Sequence, residues 1–370
     1  MKLSLTCAQP GGPIVPNRIR ALGAAWPHKQ KLGGFGVGKP KKLLNNPVEV
    51  VSELIDGLVA ACGGDLYRLD GRNAVVRTHI ANDKVALLIG GGSGHEPMFP
   101  GFVGSNLADG APCGEVFAAP TPDLIVDTLS AIERGRGVLM VYGNYAGDNM
   151  NFDIAAELAE EAGIVTRTVR VWDDVAAAPP ERMTDRRGIA GDFFVIKVAG
   201  GAAAELDNLD EVYRVAIKAR DNTRSMGVAL AAGSIPETGE RTFELPEDEI
   251  EIGMGAHGEP GIARRKITDA DAIAEEMTNL ILADLPFSAG DEVALLVNNL
   301  GATTCMEMLI VSRKVHQLLQ QRGIVIHRTD VGSFLTCQEM AGLSITLMKL
   351  DAELKHYLDM PARSFAYSRA

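Results

Sequence analysis

The sequence has no CxxC pair, no HExxH and no EF-hand loop, so the common spacings of structural zinc, metalloprotease and calcium sites are absent. No apolar run approaches the roughly 20 residues that span a bilayer. The opening MKLSLTCAQPGG offers one lysine and a short apolar stretch before Cys7, too little for a signal peptide. Five cysteines (Cys7, Cys62, Cys113, Cys305, Cys337) are an odd number and widely scattered, which excludes a disulfide framework. A reduced, cytoplasmic protein that is neither exported nor membrane-bound is the expectation. Basic residues are also in deficit, 36 Lys and Arg against 48 Asp and Glu. Nucleic acid is thereby excluded as the main partner, since that affinity rests on neutralised phosphates.

What is present is length and glycine. The 370 residues, 46% hydrophobic, suffice for two domains with substantial cores, and 40 glycines without a collagen-like period indicate many tight turns. Residues 1–42 hold eight Lys or Arg and no acid, so residues 1–40 read as a basic N-terminal extension. Asn46-Pro47 starts a helix with the apolar stripe Val51, Leu54, Ile55, Leu58 and Val59. Val85–Ile89 reads as a buried strand. Thr121-Pro122 starts a helix that turns Leu124, Ile125, Leu129 and Ile132 inward. Val138–Tyr142 is a strand whose loop GNYAGD leads to a helix over Phe152–Ala162. Ile164–Val171 is a strand, and DFFVIKVAGG reads as a further strand and turn. Residues 207–221 look helical, and MGVALAAGSIP restarts the sheet pattern. The later elements are helices over 269–284 and 304–321 and strands Val293–Val297, Ile324–His327 and Ser344–Leu350. This alternation predicts an α/β protein of two domains, 41–221 and 222–370, each a mixed or parallel sheet flanked by helices.

The stretch KVALLIGGGSGHEPMFPGFVG poses the functional question. A P-loop needs a lysine that the loop lacks. The dinucleotide fingerprint GxGxxG fits Gly92 and Gly94 and fails at Pro97. A nucleophile elbow GxSxG fits Gly91 and Ser93 and fails at His95. What remains is a strand end with bare backbone amides and a histidine at the rim, where a small polar ligand can approach. Asp148, in GNYAGDNMNF, follows a strand at the expected start of a helix; a helix cap is the competing explanation. His257, in GMGAHGEPG, stands between glycines with Glu259 two residues on. The other histidines (His28, His79, His316, His327, His356) read as structural.

Three polar residues on separate glycine-rich loops form a recognisable pattern. GGGSGHEP, NYAGD, HGEPG and NNLGAT, together with PTPD, RRGIAG, MGVAL and LSITLMKLD in that family's order, resemble the ketone-binding K subunit of dihydroxyacetone kinases. The likeness runs from about Lys41 to about Pro361. It implies two α/β domains, a homodimer, and a short ketose held as a hemiaminal on His257. His95 and Asp148 would be the acid/base pair near the hydroxyl that receives phosphate. Gly92, Ser93 and Gly94 would contact substrate through the loop, with Gly143 beside it. A neutral imidazole adds reversibly to a carbonyl, which anchors a molecule too small for tight non-covalent binding and excludes glycerol.

The resemblance also implies that this chain carries no cofactor. ADP or ATP with magnesium would sit on a separate, helical, nucleotide-binding L-type subunit. Two positions depart from the family pattern: Phe99, where a second histidine is common after GHEP, and Gly143, where lysine commonly precedes NYAGD. Both remove a polar group near the ketone and bring a tetrulose such as erythrulose into contention with dihydroxyacetone. A ligand-sensing regulatory subunit is the third possibility, and retention of His95 and Asp148 favours the enzyme over it.

Overall fold

Strands rich in Leu and Val form where both faces are covered. In the computed structural model, which describes residues 40–370, Ala86–Ile89 and Val138–Gly143 are buried throughout and pair in parallel. They lie at the centre of a seven-stranded mixed sheet. Its spatial order is Leu66–Arg68, Ala74–Arg77, Gly110–Val116, Ala86–Ile89, Val138–Gly143, Thr166–Val171, with Gly91–Ser93 added beside Gly110–Val116. A second, six-stranded sheet runs Ala263–Lys266, Glu249–Ile252, Thr223–Ala231, Ala341–Leu350, Glu292–Asn299, Val325–Gly332. Only its last pair is parallel. The expected basic extension lies outside the described residues, apart from Pro40. Among the described residues no helix is long and apolar enough to cross a membrane.

The amphipathic helices form where their stripes predict. Val50–Ala61 follows a short turn capped by Asn46 and buries Val51, Ile55 and Leu58. Pro122–Ile132 buries Leu124, Ile125, Leu129 and Ile132 against the first sheet. Ala270–Asp284 and Cys305–Gln321 cover one face of the second sheet, where Val293, Leu295 and Val297 meet Met277, Ile281, Val311 and Val315.

One element is a correction. DFFVIKVAGG is not a strand and turn but most of a helix, Asp192–Glu205, in which every residue from Asp192 to Ala203 is buried. The reason is its place. One continuous core joins its Phe193, Val195 and Ala199 to Leu87, Ile89 and Val141 of the first sheet and to Ala294, Leu296 and Met348 of the second. A helix covered on all sides has no polar stripe, and its apolar run reads like a buried strand. Several boundaries also move. The helix expected from Phe152 starts at Ala146, and the strand expected over Ile324–His327 continues to Gly332. Arg186, fully buried, crosses to Asp284 at 2.5–2.8 Å, and Arg224 meets the same carboxylate at 2.6 Å.

Candidate functional site

The carboxyl ends of the first sheet's central strands open into the loops that build the site. After Ile89 the chain passes through Gly90 and Gly91, and the Phe99 ring folds back over it. A Cβ at Gly91 would lie 2.3 Å from Phe99 Cε2, so the backbone must be bare there. The turn that follows buries His95 to 4% exposure. Its Nδ1–H donates to the Thr336 carbonyl at 2.7 Å, leaving the Nε2 lone pair free. Burial, reinforced by the nearby His257, lowers the His95 pKa to about 3, so this ring stays neutral at physiological pH.

His257 comes from the loop after Glu249–Ile252 of the second sheet. Its Nδ1 faces Glu259 Oε1 at 3.0 Å, and its backbone N–H donates to Glu259 Oε2 at 2.9 Å. Burial alone would raise the Glu259 carboxyl, but the His257 hydrogen bond and charge outweigh it and hold the pKa at about 2. Glu259 is therefore an ionised acceptor for Nδ1–H. The other nitrogen, Nε2, lies 3.0 Å from Nε2 of His95. Phe117, Tyr145 and His95 each meet the His257 ring edge-on, with centroids 4.7–5.5 Å away, and fix its plane.

Asp148 enters from the first turn of the helix Ala146–Glu161. It is half-buried, and its Oδ1 has no hydrogen-bond partner. Burial raises its pKa to about 6, with the His257 charge opposing that rise. It is thus a carboxylate at neutral pH that protonates readily, as a general base requires.

These groups surround a cavity of about 30 Å³. Drug-sized sites occupy roughly 300–1,000 Å³, so this one suits a small substrate and not a nucleotide. Gly92, His95, Gly143, Asp148 and His257 all line it. Ser93 and Gly94 are not among its lining residues. The Ser93 hydroxyl donates instead to the Gly114 carbonyl at 2.7 Å and braces the loop from behind. Three further lining residues carry polar or spatial roles that the sequence reading did not assign: Tyr145, Gly188 and Asp192. Asp192 directly follows RRGIAG, but reading DFFVIKVAGG as a strand concealed that it opens a helix. Tyr145 stood inside the NYAGD motif, where no spacing rule marks a tyrosine.

The Dak1 domain model matches residues 56–366. A Listeria innocua protein named the dihydroxyacetone-binding subunit DhaK of PTS-dependent dihydroxyacetone kinase 2 is 44% identical over 323 residues, covering 87% of this chain and 97% of that protein. A Mycolicibacterium smegmatis L-erythrulose 1-kinase is 39% identical over 332 residues, 88% of this chain but 58% of its own length. Among solved structures, the dihydroxyacetone kinase from C. freundii in complex with AMP-PNP and Mg²⁺ superposes with a TM-score of 0.82 at 32% identity. The match covers 89% of this chain and 61% of that one.

Proposed function

The chain belongs to the Dak1 domain family, and from that premise we propose that it is the ketone-binding subunit of a short-chain ketose kinase. It takes part in phosphoryl transfer to an alcohol group, with dihydroxyacetone or a close relative as acceptor. The single observation that supports this reading most is the 3.0 Å approach of the two Nε2 atoms, His95 to His257, inside a cavity that also holds Asp148.

The hydrogen bonds define the chemistry. With Nδ1–H of His95 on Thr336 O and Nδ1–H of His257 on Glu259, each ring would present an Nε2 lone pair to the other. Such a contact is attractive only when one proton lies between them. The ionised Glu259 on the far side of the His257 ring balances the charge of that proton. When a ketone enters between the rings, His257 Nε2 adds to the carbonyl carbon. The C=O π bond opens, and its electron pair takes up the proton that lay between the two rings. The product is a neutral hydroxyl on a hemiaminal whose imidazolium stays paired with Glu259. Asp148 then accepts the proton of the substrate hydroxyl as phosphate arrives.

The phosphate comes from a second, nucleotide-carrying subunit that holds ADP or ATP with magnesium. The AMP-PNP and magnesium bound to the C. freundii kinase support this assignment. The name PTS-dependent on the Listeria relative supports a phosphoryl relay behind that nucleotide. A homodimer in the cytoplasm completes the reading; the free thiols of Cys62, Cys113, Cys305 and Cys337 support the reducing compartment. The M. smegmatis relative supports the same chemistry on a tetrulose.

Carbon-13 NMR with ketone labelled at its carbonyl carbon tests the anchor. On mixing with protein, the carbonyl signal should move to the saturated-carbon range. His257→Asn should abolish that shift, and His95→Asn should slow its appearance while preserving the end point. A wild-type complex that keeps an intact carbonyl overturns the covalent mechanism.

A further inference from the structure

Asp192 is 1% exposed, and its buried Oδ1 has no hydrogen-bond partner among the described residues. Buried carboxyls are ordinarily satisfied by partners inside the protein, and an orphan needs an explanation. Three of the eight orphan side-chain atoms among the described residues share one place. Tyr145 Oη, Asp148 Oδ1 and Asp192 Oδ1 are all unpartnered, and all three residues line the same cavity.

The backbone keeps Asp192 open to that cavity. Gly143 and Gly188 pass so closely that a Cβ on Gly188 would fall 2.5 Å from the Gly143 Cα. A Cβ on Gly143 would lie 3.2 Å from Asp192 Oδ2. No side chain from either residue covers the carboxyl. Among the described residues no cation pairs with it either: Arg187, the guanidinium nearest in sequence, is held by Asp174 at 2.7–3.0 Å and by the Gly253 carbonyl at 3.1 Å. Burial first, and then the neighbouring Asp173 and Asp148, push the Asp192 pKa well above the carboxylate range. Asp173 is itself occupied by the amides of Ile189 and Gly191 at 2.8 Å. Burial without a cation therefore favours the protonated form of Asp192, which has an O–H to donate.

Asp148 is one of the two carboxylates whose charge acts on Asp192, and both acids line the cavity that His257 also lines.

We propose that Asp192, with Gly143 and Gly188, forms a subsite for a substrate hydroxyl that dihydroxyacetone lacks, and that the preferred substrate is a longer or branched ketose carrying that hydroxyl. The proposal rests on the ketone-binding reading above. It extends it from the carbonyl anchor to a second polar group of the same cavity, where a donor acid rewards an extra oxygen and penalises its absence.

The test is a set of dissociation constants for wild type, Asp192→Asn and Asp192→Ala with dihydroxyacetone, the erythrulose enantiomers, and the four-carbon analogue lacking the terminal hydroxyl. Wild type should bind one erythrulose enantiomer about 10-fold more tightly than either other ketone. Asp192→Ala should lose about 10-fold for that enantiomer and no more than about 3-fold for dihydroxyacetone, whose binding also reports a folded site. Asp192→Asn, which keeps a donor and an acceptor in the same shape, should retain most of the preference. Equal losses for all ketones in Asp192→Ala, or no preference in wild type, overturn the subsite while leaving the ketone anchor intact. Failure of every ketone to bind wild type overturns both.

Discussion

Two helices deliver a carboxyl group to one small cavity from their first turns, and their surroundings push the two groups apart in acidity. Asp148 lies in the first turn of Ala146–Glu161, and Asp192 opens Asp192–Glu205. The helix dipole favours ionisation of both, so it cannot be what separates them. Surroundings do. The first helix keeps an exposed face with Met150, Ile154 and Leu158 at its surface, and Asp148 sees both solvent and the His257 ring. The second helix is enclosed by both sheets, and Asp192 sees two other carboxylates. One fold thereby holds a base near pH 6 and a neutral acid within one cavity, each fitted to a different task.

Removing the base should have the largest effect. Asp148→Asn keeps the shape of the side chain but cannot accept the hydroxyl proton during transfer. Turnover with a nucleotide-carrying partner should fall by about 10²–10⁴-fold while the ketone adduct still forms. Wild-type turnover in this variant would reduce Asp148 to a helix cap. A smaller effect should come from pH alone. Asp148 is active as its anion, and its pKa is raised to about 6, so activity should be lost as pH falls through that value. The rate should drop about 10-fold for each further pH unit, and Asp148→Asn should lack this limb. A limb centred near the ordinary aspartate value would contradict the burial described for the group.

How much of this was legible beforehand follows the same division. His95, Asp148 and His257 stand in glycine-rich loops after strands, where local sequence marks a bare backbone and an isolated polar group. Their gathering around one cavity came only through the family resemblance, since His95 and His257 belong to different sheets. The first sheet's outer strands, Leu66–Arg68 and Ala74–Arg77, are too short to show a period, and they went unread. Asp192 was lost for a deeper reason. A helix covered on every side has no amphipathic signal, so its first residue could not be identified as a helix start. The most enclosed part of the site left the weakest trace in the sequence.

Filling the space between the two acids should sharpen the contrast at moderate scale. Gly143→Ala places a methyl 3.2 Å from Asp192 Oδ2 and 3.5 Å from the Gly188 Cα. Crowding of this kind costs about 1–3 kcal/mol where the neighbours cannot move, but a side-chain carboxyl can rotate by a few tenths of an ångström. Binding of the longer ketose should weaken about 5-fold with little loss of thermal stability. Gly188→Ala meets backbone instead, 2.5 Å from the Gly143 Cα and 2.7 Å from the Val171 carbonyl, and should lower the melting temperature. If both substitutions cost the same stability, the Gly143 side of the cavity is not open as described.

The smallest expected effect concerns stability and isolates the acid. In the folded chain Asp192 keeps its proton well above the pH at which an unfolded aspartate, with a pKa of about 3.9, releases its own. Folding above pH 4 therefore takes up a proton at this site, and the folded state binds more protons than the unfolded one. Stability contributed by the neutral carboxyl is complete below the unfolded pKa and declines as pH rises toward the folded one. Asparagine carries no such linkage while filling the same volume with a neutral donor and acceptor. Asp192→Asn should match wild type in melting temperature near pH 4 and gain on it steadily as pH rises from there. The corresponding difference for Asp148→Asn should level off above about pH 6, where the native carboxyl is already ionised. Melting curves of the three proteins across that range decide the matter. An Asp192→Asn advantage that does not grow with pH would show Asp192 to be ionised in the fold, and the two carboxyls would then differ only in where they stand.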